Sequence, residues 1–279
     1  IIIKAYFKQI TPKHLYLILK KTQHLMQKTP LTIIVLAHNE EDNLPDCLKT
    51  ACFADEIIVV DSNSTDRTAQ IAQSFGAKVL QRDLNNDYGG QRNFAISNAT
   101  HEWIFMLDSD ERITDELAHE IKICVESNRE CTYQVSRENH FIEKKVLHGV
   151  MRPDKVERLF KKEGSFYEGV VHERLHSPYD KKLLKGRLIH FPYKSWEAHL
   201  EKMNRYTTLL AHKYYEKGKK CHFVNDILIK PLWAFFKMYI VHGGFLDGKL
   251  GFEFCLTHYF YTLEKYLKLN SLNKYKGRI

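Results

Sequence analysis

The sequence predicts an α/β protein with a mostly parallel sheet flanked by helices and a helical extension at its C-terminal end. Three short apolar segments, at residues 31–36, 56–60 and 103–107, have the length and composition of strands buried on both faces. Helical segments separate them at short spacing, which is typical of βαβ units. From Trp196 onward the pattern becomes helical and basic.

The predicted elements alternate regularly up to residue 127. A helix over 37–51 follows the first strand, and its first turn carries acidic residues that suit the helix dipole. The second strand ends at Asp61, and small polar residues then cap a helix from 65 to 75 that stops at Gly76. The remaining elements here are a strand at 78–81, a polar loop at 83–90, a helix at 91–98, the strand at 103–107 and a helix at 114–127.

The second half combines short strands, expected at 133–135, 141–142, 158–160 and 188–191, with the helical end. We divide the chain into a basic amphipathic N-terminal helical segment (1–29), a sheet domain (30–193) and a basic helical region (194–279). Within the last, the apolar stretch 227–246 is interrupted by Lys230, Pro231 and Lys237, so it is too broken for a membrane span. It predicts either a helix in the membrane interface or a helix packed on the core.

Polar side chains follow three of the predicted strands at the points where the strands end. Asn39 and Glu40 follow the first strand, Asp61 the second, and Asp108 and Asp110 the fourth. The carboxyl ends of parallel strands meet at one edge, where open α/β sheets bind ligands. Side chains alternate along a strand, so the two later aspartates would leave on the same side and repel each other unless a cation separates them. The pattern therefore predicts a divalent-metal site that carries a phosphorylated substrate.

Missing motifs exclude several classes of protein. Neither GxGxxG nor GxxxxGK[ST] follows the first strand, which argues against a dinucleotide-binding Rossmann domain and a P-loop NTPase. A bound diphosphate would then need a metal and cations such as Arg92. Arg112 stands where phosphatases with an aspartyl nucleophile carry Thr or Val. The six cysteines show no zinc-site spacing and predict scattered reduced thiols.

The net charge of +8 is unevenly distributed. Residues 1–39 carry +6, residues 40–184 carry −8 and residues 185–279 carry +10. The acidic middle fits a part that holds metal, and the basic flanks suit an anionic surface such as a membrane leaflet, nucleic acid or an anionic glycolipid. Lysines that only solvate helices would give the same pattern.

Four segments in order resemble the inverting family 2 glycosyltransferases of the GT-A fold: IIVLAHNEEDNL (33–44), EIIVVDSNSTDRT (56–68), GGQRNFAI (89–96) and WIFMLDSDE (103–111). Segments 169–175, 188–193 and 243–252 are similar to bacterial lipopolysaccharide-core β-1,4-glucosyltransferases. The resemblance covers about residues 30–270. It implies a Rossmann-like GT-A fold, with nucleotide-sugar binding and catalysis in 30–193.

The resemblance also implies a role for each matching residue near the nucleotide. Ala37, Asn39 and Glu40 would line the nucleoside pocket. Asp61 would accept the uracil N–H, and Arg92 would lie near the nucleotide.

Asp108 and Asp110 match the family's DxD motif, with Asp108 near the ribose and the metal and Asp110 on Mg²⁺ or Mn²⁺. His190 would complete the metal site. Without that role, His190 would be an ordinary hydrogen-bonded histidine at a strand end.

Inverting transfer is a single in-line displacement, so a carboxylate must accept the proton of the acceptor hydroxyl. Glu173 matches the family's position for this base, although Arg174 replaces the second acid of the pattern, and Glu168 is the reserve. Alternatively, Glu173 pairs with a surface cation such as Arg174.

We therefore expect a cytoplasmic enzyme, peripheral on the inner face of the bacterial inner membrane. It would transfer a hexose, expected to be glucose from UDP-glucose, to a lipopolysaccharide-core or related glycolipid by metal-assisted single displacement. The expected partners are the UDP-sugar, the glycolipid and the anionic leaflet, with no nucleic acid. Two alternatives stay open: a catalytically inactive nucleotide-sugar- or glycan-binding protein, and a nucleotidyltransferase on a related fold.

Overall fold

The computed structural model describes residues 29–85, 87–169 and 173–277. The basic helical segment predicted at 1–29 lies outside these residues except for Thr29, so it stays a prediction. The strands of the described residues are β1 (Leu31–Ala37), β2 (Glu56–Asp61), β3 (Lys78–Gln81), β4 (Trp103–Asp108), β5 (Glu111–Ile113), β6 (Thr132–Phe141), β7 (Lys144–Lys145), β8 (Asp154–Lys161), β9 (Phe166–Glu168), β10 (Arg174–His176) and β11 (Lys181–His190).

A single mixed sheet forms the centre of the described structure, and a β9–β10 hairpin stands apart from it. The strand order is β3-β2-β1-β4-β8-β6-β11-β5, and β7 pairs with β6. Parallel pairing joins β3, β2, β1 and β4, and also β6 and β11. β8 is antiparallel to both its neighbours, and β5 is antiparallel to β11. The α/β class predicted from the sequence is therefore confirmed, and the described sheet is mixed, with a parallel part formed by β3, β2, β1 and β4.

Helices cover the sheet and form the C-terminal part of the described chain. They are α1 (Leu44–Ala51), α2 (Thr68–Ser74), α3 (Tyr88–Asn98), α4 (Asp115–Ser127), α5 (Trp196–Glu216), α6 (Lys230–Phe236) and α7 (Gly248–Lys274). The π-helical turns Phe223–Ile229 and Lys237–Val241 flank α6, and 3₁₀ turns lie at Gly149–Met151 and Gly244–Asp247. The helical C-terminal extension is thereby confirmed.

The central strands β1 and β4 are buried on both faces. In β1, Ile33 and Ile34 are fully buried but contact different apolar clusters, one on each side of the sheet. Phe105 and Met106 of β4 divide in the same way. Two-sided burial explains why both strands are uninterrupted apolar runs. Leu36 lies beside Asp108 in the register, which brings the carboxyl ends of the two strands to one edge.

Several strands differ from the sequence-based expectation, and β5, β6 and β11 show the reasons. The residues predicted as two strands at 133–135 and 141–142 form one strand, β6, of ten residues. β11 also has ten residues and begins at Lys181 rather than 188. Both strands expose polar side chains on part of their length, so they lack the apolar runs that mark β1 and β4. β5, which the sequence does not predict, forms by pairing with the distant end of β11.

Two helices also differ from their predicted bounds. The helix predicted at 37–51 begins only at Leu44, and residues 38–43 form a loop. The loop predicted at 83–90 ends early, because α3 begins at Tyr88 with Asp87 accepting a hydrogen bond from the Gly90 N–H at 2.9 Å. This side-chain cap supplies the partner that a first-turn N–H lacks.

An aromatic cluster joins the C-terminal helices to the sheet. Phe141, the last residue of β6, lies 4.8 Å from the Trp196 ring and 5.2 Å from the Phe254 ring. His199 packs 5.3 Å from Phe254, and burial together with Lys202 lowers the pKa of His199 to about 4. The ring is therefore neutral near pH 7 and packs as an aromatic side chain.

Among the described helices, none combines the length and the apolar character needed to cross a membrane. All six cysteines are free thiols.

β11 ends at His190 and α5 begins at Trp196. The change from strands to helices thus falls close to the division predicted at 193/194, and the division into domains stays a prediction.

Candidate active site

Hydrogen bonds hold the loop after β1 against the loop after β2. Asn39 has a positive φ of 54°, a left-handed conformation that asparagine tolerates better than most residues. Its backbone N–H donates to Ser64 Oγ at 2.9 Å, and its Oδ1 accepts from the Thr65 N–H at 2.9 Å. The Glu40 N–H donates to Thr68 Oγ1 at 2.8 Å. These bonds fix two of the predicted nucleoside-binding residues at the carboxyl edge of the sheet.

Ala37 and Asp61 lie side by side at the ends of β1 and β2. Asp61 is buried, and its carboxylate accepts hydrogen bonds from the Gln81 side chain at 2.8 Å and from Ser64. A carboxylate has about four lone-pair sites, so Asp61 can still accept from a ligand N–H. The Ala37 side chain belongs to the apolar core. A nucleoside contact at Ala37 would therefore have to involve its backbone.

Asp108 lies between two buried arginines. Its Oδ1 accepts from Arg92 Nη2 at 3.0 Å, and its Oδ2 accepts from Arg158 Nη2 at 2.5 Å. Burial alone would raise the pKa of Asp108, but the charges of Arg158 and Arg92 outweigh it and hold the pKa well below its usual range. The sequence predicted that a cation would neutralise Asp108. In the structure two guanidinium groups do so, with Arg92 on one carboxylate oxygen and Arg158 on the other.

The sequence patterns miss Arg158 and Glu111, which complete this buried cluster. Arg158 Nη2 also donates to Glu111 Oε1 at 2.5 Å, and Glu111 Oε2 accepts from the Asp108 N–H at 3.0 Å. Glu111 is fully buried and Arg158 nearly so. β8 has the sequence DKVERLFK, so Arg158 is one of several charged residues in the strand and nothing in the local pattern marks it as buried. Its partner could be named only once β8 was seen beside β4.

His190 faces Asp110 and is oriented from behind by Asn139. The Asn139 Nδ2 donates to the Met151 carbonyl at 2.8 Å, which leaves its Oδ1 toward His190 Nδ1 at 2.6 Å. That contact needs a proton on Nδ1. In the neutral ring the Nε2 lone pair is then directed at Asp110 Oδ2, 3.4 Å away. Two acceptors facing each other call for a cation between them or a protonated ring.

The pair of Asp110 and His190 fits a divalent metal whose coordination a substrate completes. Within the described residues, no group of three or more His, Cys, Asp or Glu side chains could hold a metal ion. Mg²⁺ is commonly held by one or two carboxylates together with substrate phosphates, so a small protein donor set is chemically sufficient. Both oxygens of Asp108 already accept from arginines, so its predicted role as a metal ligand would require those bonds to rearrange.

Glu40 lies near this pair. Burial raises the pKa of Glu40, a hydrogen bond from Asn43 at 2.7 Å partly opposes the effect, and the charge of Asp110 adds to it. A cation bound beside Asp110 would relieve this repulsion.

Glu173 lies in the same buried group as Asp108, whereas Glu168 does not. Arg92 Nε donates to Glu173 Oε1 at 3.2 Å while Arg92 Nη2 holds Asp108. Only 18% of the Glu173 side chain is exposed, against 71% for Glu168. Glu168 pairs with His176 on the outer part of the β9–β10 hairpin at 2.7 Å. Arg174 is exposed, and the partner of Glu173 among the described residues is Arg92 rather than Arg174.

The position of Glu173 depends on close contact between α3 and the β9–β10 hairpin. The Asn93 side chain donates to the Tyr167 carbonyl at 2.8 Å and accepts from the Tyr167 N–H at 2.7 Å. A Cβ at Gly89 would lie 2.4 Å from the Gly169 carbonyl oxygen and 3.6 Å from the Glu173 Cβ. A side chain at residue 89 would therefore push the hairpin and Glu173 away from α3.

The two aspartates of the DSD motif face different cavities. Asp108, Arg92 and Glu173 line a cavity of about 650 Å³, whereas Asp110 and Glu40 line one of about 480 Å³. The expectation that both aspartates leave the strand on one side is thus not met. β4 ends at Asp108 and Asp110 lies in the turn before β5, where strand alternation no longer applies.

Comparison with known proteins gives consistent matches. The Glycosyl transferase family 2 model matches residues 32–169. The lipopolysaccharide core biosynthesis glycosyltransferase LpsC of Rhizobium meliloti (strain 1021) is 27% identical over 91% of this chain and 97% of its own. The uncharacterized glycosyltransferase RP128 of Rickettsia prowazekii (strain Madrid E) is 25% identical over 87% of both chains.

Among solved structures, S. aureus TarS 1-349 in complex with UDP aligns with a TM-score of 0.44 and 14% identity, over 88% of this chain and 92% of that chain. The family match spans the four segments 33–44, 56–68, 89–96 and 103–111 and ends within the β9–β10 hairpin, at Gly169. Residues 32–169 therefore form a glycosyltransferase family 2 domain, and the chain is a glycosyltransferase of this family.

Proposed function

We propose that the protein transfers glucose from UDP-glucose to a glycolipid of the lipopolysaccharide-core type, with inversion at the anomeric carbon. The observation that carries this proposal is the buried link Asp108–Arg92–Glu173 beside the Asp110–His190 pair. Through Arg92 it joins a nucleotide-side carboxylate, Asp108, to a second carboxylate, Glu173, that is suited to proton transfer. The relationship to a lipopolysaccharide core biosynthesis enzyme over almost the whole chain supports the acceptor class.

The donor would bind along the carboxyl edge of the sheet. Asn39 and Glu40 would contact the nucleoside, and Asp61 would accept the N–H of the base. Asp108 would accept a ribose hydroxyl, with Arg92 holding its carboxylate ionised and in place. This arrangement uses the side chains that β1, β2 and β4 deliver to one edge.

In the transfer step, Glu173 accepts the proton of an acceptor hydroxyl while that oxygen bonds to the anomeric carbon and the bond to UDP breaks. Arg92 orients the Glu173 carboxylate through its Nε–H. Asp110 and His190 would hold Mg²⁺ or Mn²⁺, which supplies positive charge to the departing diphosphate.

The first test is a thermal-shift panel of nucleotide sugars with and without Mn²⁺. We expect UDP-glucose with Mn²⁺ to raise Tm by about 5 °C at saturation, since a ligand at about 100 times its Kd stabilises by about 2.7 kcal/mol. Other nucleotide sugars serve as matched controls.

Addition of an acceptor should then release UDP. Binding without turnover would instead favour a non-catalytic binding protein, and release of pyrophosphate would favour a nucleotidyltransferase.

We also propose that the C-terminal helices hold the enzyme at an anionic leaflet. Large apolar side chains around α6 recur at helical spacing and are 46–62% exposed. This apolar band consists of Leu228, Ile229, Leu232, Trp233, Phe236 and Ile240. Since no helix of the described residues could span a membrane, an exposed apolar surface of this extent suits the membrane interface, where Trp is favoured.

The charge around the band favours an anionic membrane as its partner. Residues 217–249 carry six lysines and two aspartates. Both aspartates are engaged within the fold, Asp226 with Lys230 and Asp247 with His148. Lys219 contacts Tyr266 and Tyr214. The other lysines are available to anionic lipid headgroups, which each basic residue near the surface favours by about 1 kcal/mol.

Cosedimentation with vesicles tests this surface. The double substitution Leu232→Ser/Trp233→Ser should weaken binding to vesicles of phosphatidylglycerol and phosphatidylethanolamine at least about tenfold, because burial of a large apolar side chain contributes about 1.5–3 kcal/mol. Leu209→Ser, an equally exposed site on α5 away from the band, is the control. Unchanged binding of the double variant would contradict the proposal.

A further inference from the structure

The charged residues that line the cavity beside Glu173 are mainly cations. Its charged lining comprises three carboxylates, Asp108, Glu157 and Glu173, and six basic side chains, Arg92, Arg137, Lys155, Arg158, Arg174 and Lys181. A volume of about 650 Å³ is large enough for a small oligosaccharide or a sugar with a charged substituent. The lining therefore suits a sugar that carries negative charge.

Several of these cations are only partly compensated by the protein. Lys181 pairs with Glu157 at 2.5 Å, and Arg137 pairs with Asp154. Among the described residues, no carboxylate forms an ion pair with Lys155 or Arg174, which the β8 strand and the β9–β10 hairpin present to the cavity. The positive charge at these two positions is left for a ligand.

The two buried arginines of this cavity have more N–H donors than the described residues have acceptors for them. Arg92 is 8% and Arg158 is 4% exposed, yet Arg92 Nη1 and Arg158 Nε have no hydrogen-bond partner among the described residues. Buried N–H groups of a charged side chain that lack an acceptor are costly, so an excess of this kind marks a site that expects an acceptor-rich ligand.

We infer that this cavity binds the acceptor and that the acceptor carries an anionic group, a phosphate or a carboxylate, which Lys155 and Arg174 contact. The inference rests on the proposed function, since the hydroxyl that reacts must lie against Glu173 and hence in the cavity that Glu173 lines. Arg92 and Asp108, which the proposed function also assigns to the donor, line this cavity as well. Asn39, Glu40, Asp61 and Asp110 do not, so we place the donor's diphosphate beside Asp110, outside this cavity.

Binding of simple sugars to the full chain tests the inference. Glucose 6-phosphate and glucuronate are the phosphate and carboxylate probes, and glucose is the neutral control. By calorimetry in the presence of UDP and Mn²⁺, we expect at least one anionic probe to bind about tenfold or more tightly than glucose. Lys155→Gln/Arg174→Gln should remove that preference, because a hydrogen bond to a charged group contributes enough for roughly a tenfold change in Kd.

Lys182→Gln is the matched control, since Lys182 is an exposed neighbour of Lys181 that does not line the cavity. It should bind every probe as the wild type does. The stronger anionic probe shows whether phosphate or carboxylate is the group recognised. Equal binding of the anionic probes to the double variant and the wild type would overturn the inference.

The same titrations with UDP separate this inference from the proposed function. The double variant should bind UDP with an unchanged Kd. A tenfold loss of UDP affinity would mean that the cavity holds the donor's diphosphate, which overturns the inference. If the wild type binds no UDP-sugar at all while anion binding still depends on residues 155 and 174, the proposed donor fails and the anion site remains.

Discussion

Asp110→Ala should lower the rate of sugar transfer by about 100- to 1,000-fold. Asp110 is the carboxylate that faces the lone pair of His190 at 3.4 Å, so its removal leaves the proposed metal with a single protein ligand. A metal at a departing diphosphate contributes several kcal/mol of charge stabilisation, and each 1.4 kcal/mol is tenfold in rate. The measurement is UDP release with UDP-glucose, Mn²⁺ and a glycolipid acceptor.

The substitution should leave the fold intact, because the Asp110 side chain is partly exposed and belongs to neither apolar cluster around the sheet. The Tm of the variant should match that of the wild type without ligand, and the additional rise in Tm that Mn²⁺ gives with UDP should disappear. Asp115→Ala, at an exposed position in the first turn of α4, is the control. Full activity of Asp110→Ala with Mn²⁺ present would rule out the metal assignment.

Glu173→Gln should reduce kcat by about 10²- to 10⁴-fold, the usual contribution of a positioned general base. Glutamine keeps the shape of the side chain and an oxygen that can accept from Arg92 Nε, now at 3.2 Å from Glu173 Oε1. What it loses is the ability to take the acceptor proton. KM for the donor should therefore stay close to the wild-type value while kcat falls.

The reserve candidate for the base supplies the control for this experiment. Glu168 lies on the same hairpin, but its side chain is 71% exposed and pairs with His176. Glu168→Gln should retain kcat within about a few-fold of the wild type, because exposed ion pairs contribute little. A reversed result, with Glu168→Gln inactive and Glu173→Gln active, would transfer the role of base to Glu168.

These two substitutions act on different sides of the DSD turn, and their effects should be distinguishable. Asp110 and Glu40 share one cavity, whereas Glu173 and Asp108 share the other. The Asp110 variant should lose stabilisation by Mn²⁺ with UDP as well as turnover. The Glu173 variant should lose turnover only, because it retains the whole proposed donor site.

The parts of the fold that local sequence patterns identified are those whose stability depends on two-sided burial. β1 and β4 are apolar throughout because both faces are covered, so each could be recognised without knowing its neighbours. β5 and β11 could not be recognised in this way. The three residues of β5 form a strand only because they pair with the far end of β11. Register between segments about seventy residues apart is not encoded in either segment alone.

The candidate site also has a part that the sequence predicts and a part that only the structure shows. Order along the chain placed Asn39, Asp61, Asp108 and Asp110 after strands, and parallel pairing then brings such ends to one edge. The sequence by itself therefore determined the α/β class and the family 2 glycosyltransferase relationship, and it predicted the carboxyl edge as the candidate site. It could not determine which cation pairs with which carboxylate, because those pairs depend on antiparallel strands from distant parts of the sequence.

Only the tertiary structure decided those pairings. Antiparallel β8 brings Arg158 to Asp108 and Glu111, and the contact between α3 and the β9–β10 hairpin brings Arg92 to Glu173. The turn after β4 then directs Asp110 away from Asp108 and toward His190. The two aspartates are two residues apart in sequence, yet they acquire different partners because a buried charge must pair with whatever opposite charge the fold places beside it.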